Sequence, residues 1–302
     1  MRAARGAVIL IVAAAGVAGC GSSFSVDGAR MQERVRHQVA AGPRIPGLPG
    51  HAAIEQWITG ELERQGARVD RQAFVDSSLG RTLQLTNMVG HFGRAPGRRI
   101  VLCAHWDSRP VCDQDPDPAR RQDPLPGAND GASGVSVLLE VAELLHRKPA
   151  PVGVDLAFFD GEDQGEAGQS DQFCLGAREY ARRLKPGQVT AAFLFDMVGD
   201  RDLEIHPEVN STRRASNLVA VVNDAARATG ARHFKENPRW ELIDDHVRLL
   251  DAGVPAVDIV DFDYPAWHTH DDTPSHTSPE SLAEVARVAA WLVYASPLAR
   301  PE

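Results

Sequence analysis

Four short, continuous apolar runs, each closed by acidic residues, constrain the fold of this 302-residue chain more than any other feature. The runs are "RIVLCAHWDS", "GVDLAFFDGED", "TAAFLFDMVGD" and "VPAVDIVDFD". Uninterrupted apolar runs of this length are typical of central strands that are covered on both faces. Segments with helical spacing lie between the runs, and strands that alternate with helices predict an α/β layered fold.

The remaining segments complete this alternation. Two helical patterns come first, "RMQERVRHQVA" and "AAIEQWITGELERQG", the second closed by Gly66. Two solvated strands of alternating polarity follow, "ARVDRQAFV" and "LQLTNMVGHF". The later helical patterns are "GASGVSVLLEVAELLHRK", "LGAREYARRLK", "SNLVAVVNDAARATG", "DHVRLLDAG" and "SPESLAEVARVAAWLVYA". Because no linker interrupts them, we predict one domain over residues 27–302, with the Pro- and Asp-rich segment 108–130 as a loop near the functional site.

The N-terminus predicts export. Arg2 and Arg5 precede an apolar run that is too short to span a membrane as a mature helix, which is typical of a secretory signal. The run ends in "VAGC", which resembles the bacterial lipobox, so we expect residues 1–20 to be a lipoprotein signal peptide and residues 21–26 to be a short tether. An ordinary signal with an incidental cysteine is the alternative. We expect a protein of the cell envelope or periplasm that contacts the membrane only through a lipidated Cys20.

Composition and charge narrow the class of partner. With 43% hydrophobic and 24% charged residues, the chain can bury a full core. Its formal net charge of −9 and its lack of a Lys/Arg-rich block argue against binding to nucleic acid. The sequence does not determine the oligomeric state, and we expect a monomer.

Three cysteines remain after Cys20, and they cannot all pair with one another. Cys103 lies in an apolar strand and is expected to be a small core residue. A disulfide between Cys112 and Cys174, in two loops, remains an open alternative. No CxxC spacing indicates a thiolate metal site.

Polar residues at the ends of the apolar runs predict a metal site. In open α/β sheets, ligands bind beyond the carboxyl ends of the strands, so these residues should converge. They are His105, Asp107, Asp130, Glu162, Asp163, Asp196 and His268. Imidazole nitrogen and carboxylate oxygen are ordinary zinc ligands, and three protein ligands with an open position form a catalytic site. The sequence therefore predicts Zn²⁺, with Glu162 left over as the proton carrier.

The same motifs resemble a known family. Taken in order, "AHWDS", "GANDGASG", "FFDGED", "FDMVGD", "DDH" and "WHTHDDT" are similar to the zinc aminopeptidases of the M28 clan, and most similar to its glutaminyl cyclase branch. The resemblance covers nearly all of residues 30–298. It implies a three-layer α/β/α sandwich with a mixed, mostly parallel central sheet. It also implies zinc-dependent conversion of the N-terminal Gln of peptides or proteins to pyroglutamate, with release of ammonia.

The resemblance assigns the principal site residues. Asp130, Asp163 and His268 match the three ligands of the cyclase zinc, and Glu162 matches the acid/base. Better-known cyclases have a second Glu at the position of Asp163, so this side chain is one methylene shorter. Asp163 still offers an oxygen ligand.

Two further positions leave a second activity open. His105 and Asp196 match the residues that hold the second metal in two-zinc aminopeptidases, with Asp130 as the bridge. The resemblance therefore implies one zinc for a cyclase and two for an aminopeptidase that hydrolyses N-terminal residues. A third interpretation is a non-catalytic binding protein of the envelope. The presence of Glu162 argues against it, because a binding protein needs no unligated acid beside a metal.

The resemblance also implies a substrate pocket. Trp267 matches the indole that forms one wall of the cyclase pocket for the N-terminal Gln, and Tyr264 is a candidate for another wall.

One of Asp271 and Asp272 is expected to orient the imidazole of His268, a usual arrangement for ligand histidines.

A proton relay is the last implied feature. Asp244 matches the cyclase acid that joins Asp196 in a relay to the acid/base. Asp258 stands where animal cyclases have a histidine of the hydrogen-bond network.

Overall fold

The computed structural model describes residues 24–93 and 98–300. The predicted signal peptide and Cys20 lie outside these ranges, as do the first three residues of the predicted tether. Within the described ranges, no helix is both long enough and apolar enough to cross a membrane. Lipidation and export therefore stay predictions.

The described part of the chain contains one six-stranded sheet. The strands are β1 (Arg68–Asp76), β2 (Leu83–Phe92), β3 (Arg99–His105), β4 (Gly153–Phe159), β5 (Val189–Asp196) and β6 (Ala256–Val260). Their order in the sheet is β1-β2-β4-β3-β5-β6. β2 is antiparallel to both of its neighbours, whereas the pairs β4–β3, β3–β5 and β5–β6 are parallel. The predicted mixed, mostly parallel sheet is confirmed.

Helices cover both faces of this sheet. They are α1 (Gly28–Ala40), α2 (Pro49–Arg64), α3 (Ala132–Arg147), α4 (Leu175–Arg183), α5 (Val209–Arg214), α6 (Ser216–Thr229), α7 (Asp245–Asp251) and α8 (Pro279–Tyr294). In β2, the Asn87 side chain donates to a backbone carbonyl of α4, whereas the sulfur of Met88 accepts from Thr59 in α2. Adjacent strand residues point to opposite faces, so α2 and α4 lie on opposite sides. The three-layer α/β/α sandwich is confirmed.

Local sequence explains how closely these layers approach. Every residue of β3 is buried, as expected for a central strand. Gly134 in α3 lies against β5, where a side-chain carbon would come within 2.1 Å of the carbonyl oxygen of Phe195. Glycine therefore permits α3 to pack directly over the end of β5. Ser278 caps α8 by accepting from the backbone N–H of Ser281.

Two features of the fold differ from the sequence predictions, and one alternative that the sequence left open is settled. β2 was predicted to be solvated, but residues 87–90 are buried because α2 and α4 cover both of its faces. The short helix α5 was not predicted. The three described cysteines, Cys103, Cys112 and Cys174, are free and buried, so the alternative of a Cys112–Cys174 disulfide is not realised, while Cys103 is a core residue as predicted.

Candidate metal and active site

The predicted site residues converge at the carboxyl ends of the central strands. The parallel strands β3, β4, β5 and β6 all end at this edge, and a glycine-rich turn precedes α3 there. Gly131 has φ +86°, and a side-chain carbon at that position would lie 2.9 Å from the carbonyl oxygen of Asp107. Glycine thus lets the turn bring Asp130 against the end of β3.

Asp130, Asp163 and His268 form the first set of donor atoms. Nε2 of His268 lies 3.6 Å from Oδ2 of Asp130 and 3.6 Å from Oδ2 of Asp163, and all three residues are buried. These separations are too long for hydrogen bonds, and Oδ2 of Asp163 has no hydrogen-bond partner. Tetrahedral zinc with bonds near 2.0–2.2 Å places its ligand atoms roughly 3.3–3.6 Å apart. The first set therefore fits a cation that would replace the missing hydrogen bonds.

His105, Asp130 and Asp196 form a second set. Nε2 of His105 lies 3.1 Å from Oδ1 of Asp130 and 3.1 Å from Oδ1 of Asp196. These donor atoms are close enough together to hold a cation, but they also lie at hydrogen-bonding distance. Asp130 thus turns one carboxylate oxygen toward each set.

Arg109 and Asp113 belong to the site, although the sequence analysis missed them. The Arg109 guanidinium, which is 2% exposed, donates from Nη1 to Oδ1 of Asp163 at 2.7 Å. Its Nε and Nη2 donate to the two oxygens of Asp113 at 2.9 and 2.8 Å. Arg109 therefore holds one oxygen of Asp163 and leaves the other to face the first set. The i,i+4 Arg–Asp spacing in "RPVCD", directly after "AHWDS", is a signal that could have identified the pair.

Asp113 also corrects the expected partner of His268. Oδ1 of Asp113 lies 3.1 Å from Nδ1 of His268, whereas one of Asp271 and Asp272 was expected to orient this ring. Burial alone would raise the pKa of Asp113, but the contacts with His268 and Arg109 outweigh it and hold the pKa below its usual range. Asp113 is therefore an anionic acceptor that fixes the ring with Nε2 toward the first set.

Asp272 has a different role. Its carboxylate accepts from the backbone N–H groups of Asn129 and Asp130 at 2.7 and 3.1 Å. It also accepts from the hydroxyl of Tyr264 at 2.8 Å. Asp272 thus anchors the turn that carries Asp130. Tyr264, predicted as a pocket wall, is buried at this anchor and does not line the cavity beside the donor atoms.

A small cavity of about 160 Å³ opens beside both donor sets. Glu162 and Asp244 line it together with residues of the two sets, and Trp267 forms part of its wall. The Trp267 ring stacks on the ring of His268 with centroids 4.0 Å apart. The apolar lining consists of Phe173, Met197, Leu242, Ile243, Val260, Phe262 and Trp267. An apolar wall around a charged floor suits one substrate side chain with a polar end.

Glu162 lies beside the donor atoms without belonging to either set. Asp107 accepts from the backbone N–H groups of Glu162 and Asp163 at 3.1 and 3.2 Å and so fixes their turn. The thiol of Cys174 lies 3.5 Å from Oε1 of Glu162. Burial, reinforced by the charge of Asp163, raises the pKa of Glu162 well above its usual value. A carboxyl group in this position is suited to exchanging protons with a molecule in the cavity.

Buried acids behind Glu162 form a further cluster. Carboxylate oxygens of Asp244 and Glu162 lie within 4.8 Å of each other. Burial and the charge of Asp196 raise the pKa of Asp244 to about 6. Asp258 is buried 3.5 Å from Nδ1 of His246 in α7. Asp258, which stands where animal cyclases have a histidine, thus has a histidine of a neighbouring helix beside it.

These acids predict how stability depends on pH. Burial raises the pKa of Asp244 to about 6, and it raises the pKa of Asp261, which follows β6 and accepts from the backbone N–H of Glu204, to about 7; both values lie above the unfolded value near 3.9. A raised carboxyl pKa favours the folded state at low pH, and this contribution is lost as pH rises through the folded pKa. We expect the free energy of unfolding of the metal-free protein to be about 1–3 kcal/mol lower at about pH 8 than at about pH 5.5. Urea unfolding at both pH values measures the free energy of unfolding. The substitution Asp261→Asn should reduce the difference between the two values. Greater stability at the higher pH would contradict this expected pH dependence.

Comparison with known proteins places this site in a family context. A family model described as peptidase family M28 matches residues 87–293. A glutaminyl-peptide cyclotransferase-like protein of Bos taurus is 24% identical over 279 residues, covering 82% of this chain and 70% of the relative. The crystal structure of Tannerella forsythia glutaminyl cyclase superposes with a TM-score of 0.86 at 33% identity, covering 90% of this chain and 99% of that one. A Zn-dependent exopeptidase from Parabacteroides distasonis gives 0.87 at 32% identity, with coverage of 90% and 99%.

Proposed function

This chain belongs to peptidase family M28, and on that premise we propose that it is a zinc-dependent glutaminyl-peptide cyclotransferase. Its substrates are peptides or proteins with an N-terminal Gln, which it converts to pyroglutamate with release of ammonia. Relatives of this name and the similarity to bacterial glutaminyl cyclases support the proposal. The observation that carries it is the contrast between the two donor sets. The first set leaves Oδ2 of Asp163 buried and without a hydrogen-bond partner, whereas in the second set His105 is already hydrogen-bonded to Asp196. This contrast favours one metal.

In this proposal, Asp130, Asp163 and His268 hold one Zn²⁺. Two carboxylate oxygens and one imidazole nitrogen form a suitable donor set for zinc and leave a fourth position open. When bound there, Zn²⁺ acts as a Lewis acid that polarises the γ-carbonyl group of the substrate. The apolar wall at Trp267 binds the methylene groups of the Gln side chain and keeps water away from them.

Glu162 is the proton carrier of the reaction. Its carboxylate removes a proton from the substrate α-amine, which attacks the γ-carbonyl carbon and closes the five-membered ring. The C–N bond to the γ-amide nitrogen then breaks, and Glu162 returns the proton to the departing ammonia. Asp244 and Asp196, which line the same cavity as Glu162, form the proposed relay that stabilises its protonated state.

The second candidate is a two-zinc aminopeptidase. Asp130 directs one oxygen to each donor set, and His105 and Asp196 are positioned to hold a second ion. The similarity to a Zn-dependent exopeptidase equals that to the cyclases. In that reaction Glu162 would deprotonate a water molecule that attacks the first peptide bond.

We also propose that the protein is exported to the cell envelope. The basic and apolar N-terminal residues support a signal peptide, and Cys20 supports a lipid anchor.

Paired assays separate the two reactions. Protein without residues 1–20, loaded with Zn²⁺, should release ammonia from a Gln-peptide and little amino acid from Leu- or Ala-amide. Elemental analysis after dialysis should give one tightly bound zinc per chain. Amino-acid release accompanied by two tightly bound zincs would favour the aminopeptidase instead. Absence of turnover with either substrate class would favour the non-catalytic binding protein.

A further inference from the structure

We propose that Trp240 and Ile243 form an apolar shelf that binds the side chains of the two residues following the N-terminal residue of the substrate. This inference rests on the proposed function in taking a peptide N-terminus as the substrate of the cavity. It adds a preference for apolar residues at the second and third positions. The shelf lies on the segment between α6 and α7, and the structure leaves both side chains open to solvent.

The exposure of these two side chains is unusual for the described part of the chain. Trp240 is 41% exposed and Ile243 is 53% exposed, and the other large exposed apolar side chains there are Leu48 and Val75. Ile243 lines the rim of the cavity. Exposed apolar surface next to a binding cavity indicates a place that a bound ligand covers.

Backbone strain points to the same residue. Among the described residues other than glycine, those with positive φ are Cys174, Met197, Trp240 and His268. Met197 and His268 line the cavity, and Cys174 contacts Glu162. A left-handed conformation at a bulky residue costs about 1–3 kcal/mol and is concentrated at functional sites. Trp240, with φ +56°, is the fourth residue of this group. The metal site does not account for its backbone conformation.

The Trp240 ring is held in place rather than free to move. The Arg239 guanidinium lies 5.0 Å from the ring centroid, and the indole N–H donates to Asp263 at 3.3 Å. Arg239 also forms an ion pair with Asp263 at 2.9 Å. The backbone N–H of Val209 donates to the Trp240 carbonyl at 3.0 Å. A fixed aromatic surface loses little conformational entropy when it binds a ligand.

Aromatic rings connect the shelf to the donor atoms. The Trp240 ring packs on Phe262 with centroids 5.6 Å apart, and Phe262 packs on Trp267 at 4.9 Å. Trp267 in turn stacks on His268 at 4.0 Å. The row therefore extends no more than about 14.5 Å from the ring of His268 to that of Trp240, and an extended peptide advances about 3.3–3.6 Å per residue. A peptide whose first side chain enters the cavity beside His268 therefore brings the side chain of its third residue within reach of Trp240, while Ile243, which lines the cavity, is available to the second residue.

The test compares two peptides, Gln-Leu-Leu-Gly and Gln-Gly-Gly-Gly. Their affinities for zinc-loaded Glu162→Gln protein are measured by calorimetry, and their kcat/KM values for ammonia release by the unsubstituted protein. We expect the Leu peptide to bind about 10-fold more tightly. When Trp240→Gln is added to the Glu162→Gln protein, this preference for the Leu peptide should disappear. Trp240→Phe should retain most of it. Val75→Gln, which changes an exposed apolar residue of the edge strand β1, should leave it unchanged.

The outcomes distinguish the shelf from the proposed function. Equal affinities for the two peptides would overturn the shelf, as would a preference that survives Trp240→Gln in protein whose melting temperature shows it to be folded. If that variant fails to fold, loss of the preference in folded Trp240→Phe would also overturn the shelf. Failure to release ammonia from either peptide would overturn the cyclase proposal, while a 10-fold difference in affinity would still support the shelf.

Discussion

Replacing Glu162 with Gln is expected to lower kcat for ammonia release about 10²–10⁴-fold while leaving zinc bound. The amide cannot take a proton from the α-amine, although it has nearly the same size and shape as the carboxylate. Glu162 lies outside both donor sets, and its turn is fixed through backbone N–H groups rather than through its side chain. Steady-state kinetics and elemental analysis of the same preparation measure both properties.

The matched control for this variant is Asp163→Asn, one residue away. It replaces a proposed ligand oxygen by an amide and should weaken zinc binding. Because the two neighbouring acids have different roles, the variants should separate metal loss from activity loss. Glu162→Gln protein that has lost its zinc, or that turns over at an undiminished rate, would contradict the role of Glu162.

Replacing Arg109 with Gln should weaken zinc binding about 10–100-fold and lower kcat/KM by a similar factor. Arg109 holds Oδ1 of Asp163 and both oxygens of Asp113, and Asp113 in turn contacts His268. Removing the guanidinium leaves two carboxylates without their cation, which we expect to lower the free energy of unfolding by about 3–5 kcal/mol. Competition with a chelator measures the zinc affinity, and urea unfolding measures the stability.

Two further variants control for general effects of losing an arginine. Arg109→Lys keeps the charge but lacks the two-pronged donor geometry, so an intermediate zinc affinity is expected. Arg182→Gln removes an exposed arginine that pairs with Glu179 on α4. This variant should leave the zinc affinity and the free energy of unfolding unchanged. Zinc affinity equal to that of the unsubstituted protein in folded Arg109→Gln would show that Asp163 needs no such partner.

Arg109 also gives a physical account of the shorter acid at position 163. The guanidinium occupies Oδ1, so only Oδ2 of Asp163 faces Asp130 and His268. A carboxylate that offers one oxygen does not need the reach of a longer side chain if a buried cation fixes its orientation. The pairing of Arg109 with Asp163 is thus a specific feature by which this chain could hold its metal.

The sequence predicted the elements that follow periodic patterns and the residues that end them. Continuous apolar runs identified β3 to β6, and the acids that close these runs lie at one edge because parallel strands align their carboxyl ends. The same reasoning found Glu162, Asp163 and Asp196. Local patterning determines these features, so sequence alone was sufficient.

The sequence analysis missed, or predicted wrongly, the features that depend on tertiary packing. The burial of β2 results from α2 and α4 covering its two faces, which the alternation of its residues does not show. Arg109 and Asp113 lie in an irregular loop, where no periodic pattern predicts which side chains turn inward. Tyr264 was a candidate for a second wall of the cavity, but its hydroxyl turns to Asp272.

The most direct test of the cyclase proposal is the product formed from a single peptide, Gln-Leu-Leu-Gly, by the zinc-loaded protein. Mass spectrometry distinguishes the two reactions because cyclisation removes one ammonia from the intact peptide, whereas hydrolysis removes the whole N-terminal residue. We predict a peptide lighter by one ammonia, with ammonia released in equal amount. Free Gln together with Leu-Leu-Gly would contradict the cyclase and identify the aminopeptidase.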